Sequence, residues 1–409
     1  MRGAPARERV RVATAGLALA VAAVLGAAPA QAAPATTTPP DDARGARTVE
    51  PVDLQVPGRG ASAHRISESG VVVGVAYTDE GPVRAFRWED GEAVVLSGVD
   101  GDSNAVDVNE AGQVLVETYR DDGSSGAVLW QPDGTVTDLA PGSDAYPGDL
   151  DDQGRVALDL YDAATGHTHA AVWQDGALTP LDESGAAGSA VAQNEALNER
   201  GDVAGTLTTA DGPRAVLWRD GVATVRPLPA DAYASASTAV NERGDVLGVV
   251  YAGAASRAVV WEGGRLRYLA PAGSPRLSLY DFNDRGAAVG TVGEPGAVLR
   301  AAHADRRGLT MLPTLGGPSG VAYAVNARGV VVGGTAADGD LAYNGAVAWV
   351  RGVAVPLSGW VDDRPPVNSM ALDVDEQGRA VGYVQRQDAG GSLGLDNMRA
   401  LLWEVTPRR

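Results

Sequence analysis

A short polar turn followed by an apolar run recurs along this chain at a nearly fixed interval. The turn carries Asn, Asp or Ser first and Gly fourth, at 67–70, 109–112, 151–154, 198–201, 241–244, 283–286, 326–329 and 375–378. Its glycines lie 42, 42, 47, 43, 42, 43 and 49 residues apart. An apolar residue precedes each turn (Ile66, Val108, Leu150, Leu197, Val240, Phe282, Val325, Val374), and a run such as the "VVVG" of 71–74 or 330–333 follows. A leading Asn or Asp accepts from nearby backbone N–H groups and a closing Gly tolerates the exit conformation, so the pattern predicts a turn joining two strands.

Further along each repeat stands Ala-x-x-Trp. Seven of the eight tryptophans occupy it: Trp88, Trp130, Trp173, Trp218, Trp261, Trp349 and Trp403. One recurrent position for so many large rings predicts packing between repeating units. The sixth repeat departs from it, with Arg300 in the Trp position. A second tight turn follows, "EDG" at 89–91, "QDG" at 174–176 or "RDG" at 219–221, where Asp-Gly suits the positive φ of a two-residue hairpin. A closing strand then carries Leu96, Leu139, Leu181, Leu269 or Leu357.

Four short strands per repeat, with no helical period in the body, predict an all-β fold, a β-propeller whose blades bury each other's faces. A parallel β-solenoid is the alternative, though its coils are usually shorter. The eighth repeat ends at "RALLWEV" (399–405), one strand short. The segment "VDLQVPG" at 52–58 resembles the fourth-strand endings "TDLAPG" (137–142) and "YLAPAG" (268–273), so the N-terminal strand is expected to close the last of eight blades. Seven blades with one stray repeat is the other count.

Composition places this ring outside the cell. Arg2, Arg7, Arg9 and Arg11 precede an Ala/Val/Leu run and "APAQA" at 28–32, so residues 1–32 read as a signal peptide, with a retained signal anchor as the alternative. Residues 33–50 are Pro/Thr-rich and read as a linker with no strand to donate, leaving 51–409 as the propeller. Without cysteine the exported body must rely on its core rather than on disulfides. A net charge of -19 argues against nucleic acid and anionic lipid as partners and suits a soluble monomer.

The string of Asn-x-x-Gly turn, "VVG" and "RAFRW" (84–88) resembles the HAF family of probable extracellular repeats over about residues 60 to 403. The resemblance implies an exported repeat protein and little chemistry. Arg84-Ala85-Phe86 and His169-Ala170-Ala171 each carry only part of the family's His-Ala-Phe signature.

Several motifs invite functional readings. Arg200-Gly201-Asp202 and Arg243-Gly244-Asp245 spell an adhesion tripeptide, but each falls inside the turn, whose geometry already explains its Gly. Asp107-x-Asn109, Asp149-x-Asp151, Asp281-x-Asn283 and Asp373-x-Asp375 look like the start of a calcium loop and lack its twelfth-position Glu. His167-x-His169 offers two metal ligands without a third. No metal or cofactor is therefore expected.

Loop asymmetry is the better lead. The tight turns make one face of a propeller monotonous, while loops between strands two and three and between blades vary on the other, where function concentrates. Trp360 stands outside the packing position in the long loop 357–370, which neighbours another at 384–398. Tyr77, Tyr119, Tyr161 and Tyr251 all lie seven residues past a turn glycine, beside Asp79, Glu80, Asp121, Asp122 and Asp162. Aromatic rings beside carboxylates suit sugars or cationic groups. The expectation is a secreted binding or scaffold module for an extracellular glycan or protein. Its rival is a glycan-cleaving enzyme using Asp107, Asp149, Asp281 and Asp373 at the central mouth.

Overall fold

The computed structural model describes residues 46–48, 50–79, 81–120, 123–253, 255–293, 298–336, 344–357, 368–387 and 393–407. The leader and Trp360 lie outside them. Among the described residues the strands form eight antiparallel sheets and there is no helix. Blades 1 to 7 are four-strand meanders at 60–95, 102–138, 144–180, 188–225, 234–268, 277–311 and 320–356. The fold is thus the expected eight-bladed propeller.

Blade 8 takes Asn368–Val374, Arg379–Gln387 and Leu393–Pro407 from the C-terminal end and its outer edge from the N-terminal end. Val52 pairs with Leu402 and Asp53 with Leu401, and the Leu54 N–H donates to the Ala400 carbonyl at 3.1 Å. Leu54, only 1% exposed, packs with Ala61, Phe86, Val381 and Leu402 across the junction of blades 8 and 1. The pairing extends beyond the expected segment. Ala46–Thr48, read from sequence as strandless linker, pairs with Val405, Thr406 and Pro407. The last strand continues to Pro407 and its edge would otherwise stay open, so the linker's end is drawn into the sheet.

Neighbouring blades are stitched through the recurrent turn. Its first residue is buried in all eight copies, between 2% exposed (Asp151, Asn198, Asp375) and 9% (Asn283). Asn241 shows how it works: Oδ1 accepts the N–H groups of Arg243 and Asp245 in its own turn, while Nδ2 donates to the Asn283 carbonyl of the next blade. The same donation runs from Asn109 to Asp151, Asn198 to Asn241, Asn283 to Asn326 and Asn326 to Asp375. An Asp has no hydrogen to donate. At Asp151 and Asp375 an arginine four residues on pairs with the carboxylate and reaches the next blade, Arg155 to the Glu199 carbonyl at 2.9 Å and Arg379 to the Glu68 carbonyl at 2.7 Å.

The second turn residue forms a parallel ring. The backbone N–H groups of Glu110, Asp152, Glu199, Glu242 and Glu376 each donate to the carboxylate at the same position in the following blade, with Glu376 donating to Glu68 across the closure. Arg-Gly-Asp is absorbed by the same geometry. Asp202 and Asp245 are 6% and 7% exposed and pair with Arg200 and Arg243 of their own turns.

Between the blades sit the repeat tryptophans. Trp218, Trp261 and Trp403 are wholly buried, and Trp218 and Trp261 donate Nε1–H to the Asp182 and Pro227 carbonyls just past the preceding blade. Gly205 faces the Trp218 ring so closely that a Cβ there would come within 2.5 Å of it.

Two outcomes test this architecture. Trp218→Ala is expected to cost about 3–5 kcal/mol in chemical denaturation, as a buried large-to-small change. In this cysteine-free chain, Val52→Cys with Leu402→Cys should crosslink on oxidation, since paired antiparallel residues sit about 4.5–5.5 Å apart between Cα atoms. Failure of the pair to crosslink would place the ring's closure elsewhere.

Candidate functional site

The first strand of each blade lines a central channel, and a β-bulge just before the turn aims one residue per blade inward. Register shifts mark it at 63/65, 105/107, 147/149, 237/239, 279/281, 322/324 and 371/373. The residues delivered are Arg65, Asp107, Asp149, Ala239, Asp281, Ala324 and Asp373. In blade 4 the extra residues of the 47-residue interval supply Glu195, with positive φ of 34°.

These carboxylates act as clamps. Asp373 accepts the N–H groups of Val374 and, in blade 1, of Ile66; Asp107 those of Val108 and Leu150; Asp149 those of Leu150 and Leu197; Asp281 those of Phe282 and Val325. Each thus bridges its own blade to the next. Burial opposes the Arg65 charge, but Asp373, Asp107, Glu195 and Asp281 outweigh it and raise its pKa.

Burial, then the neighbouring Asp107, pushes Asp149 well up, and burial, then Asp281, does the same to Glu195. Two ionised carboxyls held so close repel, which adds to the effect of burial on Asp149 and Glu195. Glu195 is itself an exposed residue, and solvent screening limits its rise. Burial also lifts Asp373 to about 6 despite Arg65, and lowers His64, beside Arg65, to about 4.

The opposite, loop-bearing face is built differently. Tyr77, Tyr119, Tyr161 and Tyr251 occupy one repeated place, paired with the first residue of the inner strand (Gly60, Asp102, Asp144 and Ala234). They differ in what surrounds them. Tyr77 is buried in an apolar cluster with Met370, Leu372, Tyr383 and Met398. Tyr119 is 43% exposed and donates its hydroxyl to Glu117 at 2.6 Å. Tyr161 is 40% exposed. Tyr251 leans on Tyr233, itself 57% exposed, with ring centroids 6.4 Å apart.

Two buried carboxylates lie behind the exposed tyrosines of blades 2 and 3. Burial raises the pKa of Glu117, and it lifts Asp159, which accepts the Val191 N–H at 2.9 Å, to about 7. Tyr146 is pushed up to about 12 by burial and by Asp144, with Glu117 and Tyr161 nearby. On blade 3 and the link that follows it, an open cleft of about 500 Å³ is lined by Leu160, Tyr161, Asp162, His169, Pro180 and Glu183, among others. Among the described residues no group of three His, Asp or Glu is placed to hold a metal ion.

Sequence reasoning placed the four tyrosines but missed Arg65, Glu195, Glu117, Asp159 and Glu183. The long third interval was the available signal for Glu195. Glu80, Asp121, Asp122, residues 358–367 of the first long loop and residues 388–392 of the second lie outside the described residues.

No protein-family model matches the chain, and no curated protein matches its sequence. Solved structures do resemble it. Dipeptidyl peptidase 4 of Porphyromonas gingivalis is 13% identical with a TM-score of 0.50, covering 85% of this chain and 62% of that one. A puromycin-hydrolyzing peptidase of Mycobacterium tuberculosis is 16% identical with a TM-score of 0.49, covering 84% and 58%. The β-propeller domain of the Trilobed protease from Pyrococcus furiosus is 9% identical with a TM-score of 0.48, covering 80% and 98%. The chain therefore spans about three fifths of the two peptidases, and at these identities the likeness is one of fold.

The buried carboxyls set a pH dependence. A carboxyl raised above its unfolded value keeps its proton in the fold where the unfolded chain has lost it, so stability falls as pH rises between the two values. For Asp159 that window runs from 3.8 to about 7 and for Asp373 from 3.8 to about 6. His64 acts oppositely, losing stability as pH falls from 6.5 to about 4. Thermal unfolding should therefore show a higher Tm near pH 5 than at pH 8. Asp159→Asn, which keeps an acceptor for the Val191 N–H, should raise Tm at pH 8 and shrink the difference.

Proposed function

We propose that this chain is an exported propeller of the HAF type that binds an extracellular glycan or protein on its loop-bearing face as a monomer. One observation carries the reading: the two faces are used differently. On the turn face the recurrent polar side chains are engaged by backbone groups of the same or the next blade. On the loop face Tyr119, Tyr161, Tyr233 and Tyr251 stand exposed or half-exposed around blades 2 to 5. Rings presented beside carboxylates such as Glu117 and Asp144 suit the C–H faces of sugars or cationic groups. Export is supported by the Arg-led apolar leader of 1–32 and by a core that works without cysteine.

The rival reading, a glycan-cleaving enzyme, needed Asp107, Asp149, Asp281 and Asp373 free to act on a substrate. All four hold backbone N–H groups of adjacent blades. A group so engaged is costly to redirect. A glycan array probed with the mature protein, with and without calcium, tests the binding reading. Tyr119→Ala and Tyr251→Ala should each weaken a hit by about tenfold, the worth of one stacked ring, while leaving Tm within a few degrees. Unchanged binding in both variants would remove the tyrosines from the site.

A further inference from the structure

The cleft on blade 3 is backed by a hydrogen-bond relay that extends past what blade packing requires. The Ala170 N–H donates to Ser189 Oγ at 2.8 Å, and Ser189 Oγ donates to Glu183 Oε1 at 2.7 Å. His169 Nδ1 lies 2.9 Å from the same carboxylate oxygen. A carboxylate can only accept, so the nitrogen facing it carries the ring hydrogen. Nε2 is thereby left as an acceptor, and among the described residues no hydrogen bond reaches it. The His169 side chain is 34% exposed and lines the cleft. It is fixed from behind and open in front.

The rest of the cleft narrows what could sit there. Leu160, Ala170, Pro180 and Leu181 give it apolar walls, and Tyr161 adds a partly exposed ring. Asp162 turns its carboxylate to its own loop, accepting the Ala164 N–H at 2.8 Å and the Thr165 hydroxyl at 2.9 Å. Glu183 is taken up by Ser189 and His169. An anion would meet two carboxylates, and a cation would have to compete with the groups that already hold Asp162 and the Oε1 of Glu183. A neutral molecule with an apolar face and a hydroxyl donor meets no such penalty.

We propose that this cleft binds a neutral ring bearing hydroxyl groups, the chemistry of a pyranose sugar. His169 Nε2 accepts one hydroxyl hydrogen, Tyr161 and the Leu181 side of the cleft pack against the sugar's C–H face, and Glu183 positions the imidazole. The inference rests on the loop-face reading and names a ligand class for it, but seats the ligand at blade 3 rather than at Tyr119 or Tyr251.

The chain has only four histidines, so the His169 ring signals are assignable by difference from a His169→Phe variant. In ¹⁵N-labelled protein His169 should appear as the Nδ1–H tautomer. Titration with a panel of methyl pyranosides to about 0.1 M, high enough to see millimolar dissociation constants, should shift its Nε2 resonance for at least one sugar. His169→Phe keeps the bulk and removes the acceptor, and should weaken that sugar's binding about tenfold. Glu183→Ala should mix the tautomers and weaken binding less.

An Nε2–H tautomer in the unaltered protein, or a panel that leaves every His169 signal unmoved, overturns the proposal. Array binding lost in Tyr119→Ala and kept in His169→Phe would sustain the loop-face reading and sink this one. A His169 shift indifferent to Tyr119→Ala supports the cleft as a site separate from Tyr119.

Discussion

One blade's turn side chain reaching the next blade's turn backbone is the contact on which this ring rests. A four-stranded blade has two apolar faces and cannot stand alone, so each must meet its neighbours at one fixed angle. Asparagine suits the joint because its amide does two jobs at once. Asn283 Oδ1 accepts the Arg285 and Ala287 N–H groups, holding its own turn, and Nδ2 donates to Asn326 at 2.8 Å, holding the next. An aspartate does the first job and fails the second, which is why Asp151 and Asp375 come with Arg155 and Arg379. The period of the sequence is the period of that joint.

The same joint explains how so acidic a chain tolerates carboxylates crowded round an axis. Oxygens that accept two backbone N–H groups, as those of Asp107 and Asp149 do, gain through hydrogen bonds part of what they lose by leaving water. The remaining repulsion is relieved in two ways. Arg65 stands where other blades place an acid or an alanine, and burial beside a neighbouring acid pushes Asp149 and Glu195 toward their neutral forms. The four channel aspartates are thereby tied to backbone N–H groups of the adjacent blades.

Most of the fold was legible because it repeats. Eight turns, seven tryptophans at one position and a fourth-strand ending misplaced at 52–58 were enough to count the blades and find the closure. The contribution of Ala46–Thr48 was not legible, since a Pro/Thr-rich stretch has no pattern of its own and becomes strand only by lying along Val405–Pro407. The site was legible only in part. A repeated position announced the four tyrosines, but whether a ring at that position is buried like Tyr77 or exposed like Tyr119 depends on what the neighbouring blades bring. Glu183 was invisible because it lies between repeats, where no period exists to mark it.

Function in such a ring has to be added to positions already serving the joint, and Ser189 shows how. Ser103, Ser189, Ser235 and Ser369 hold the same place, each accepting the N–H of the Ala in the preceding blade's Ala-x-x-Trp. That bond uses only the oxygen's acceptor capacity and leaves the hydroxyl hydrogen free to be aimed. Among the described residues only Ser189 of the four aims it at a carboxylate, and that carboxylate holds an imidazole. A chain of repeats can therefore acquire a polar site without weakening the ring. It needs only an unused hydrogen on a structural residue and an acid in the variable loop beside it.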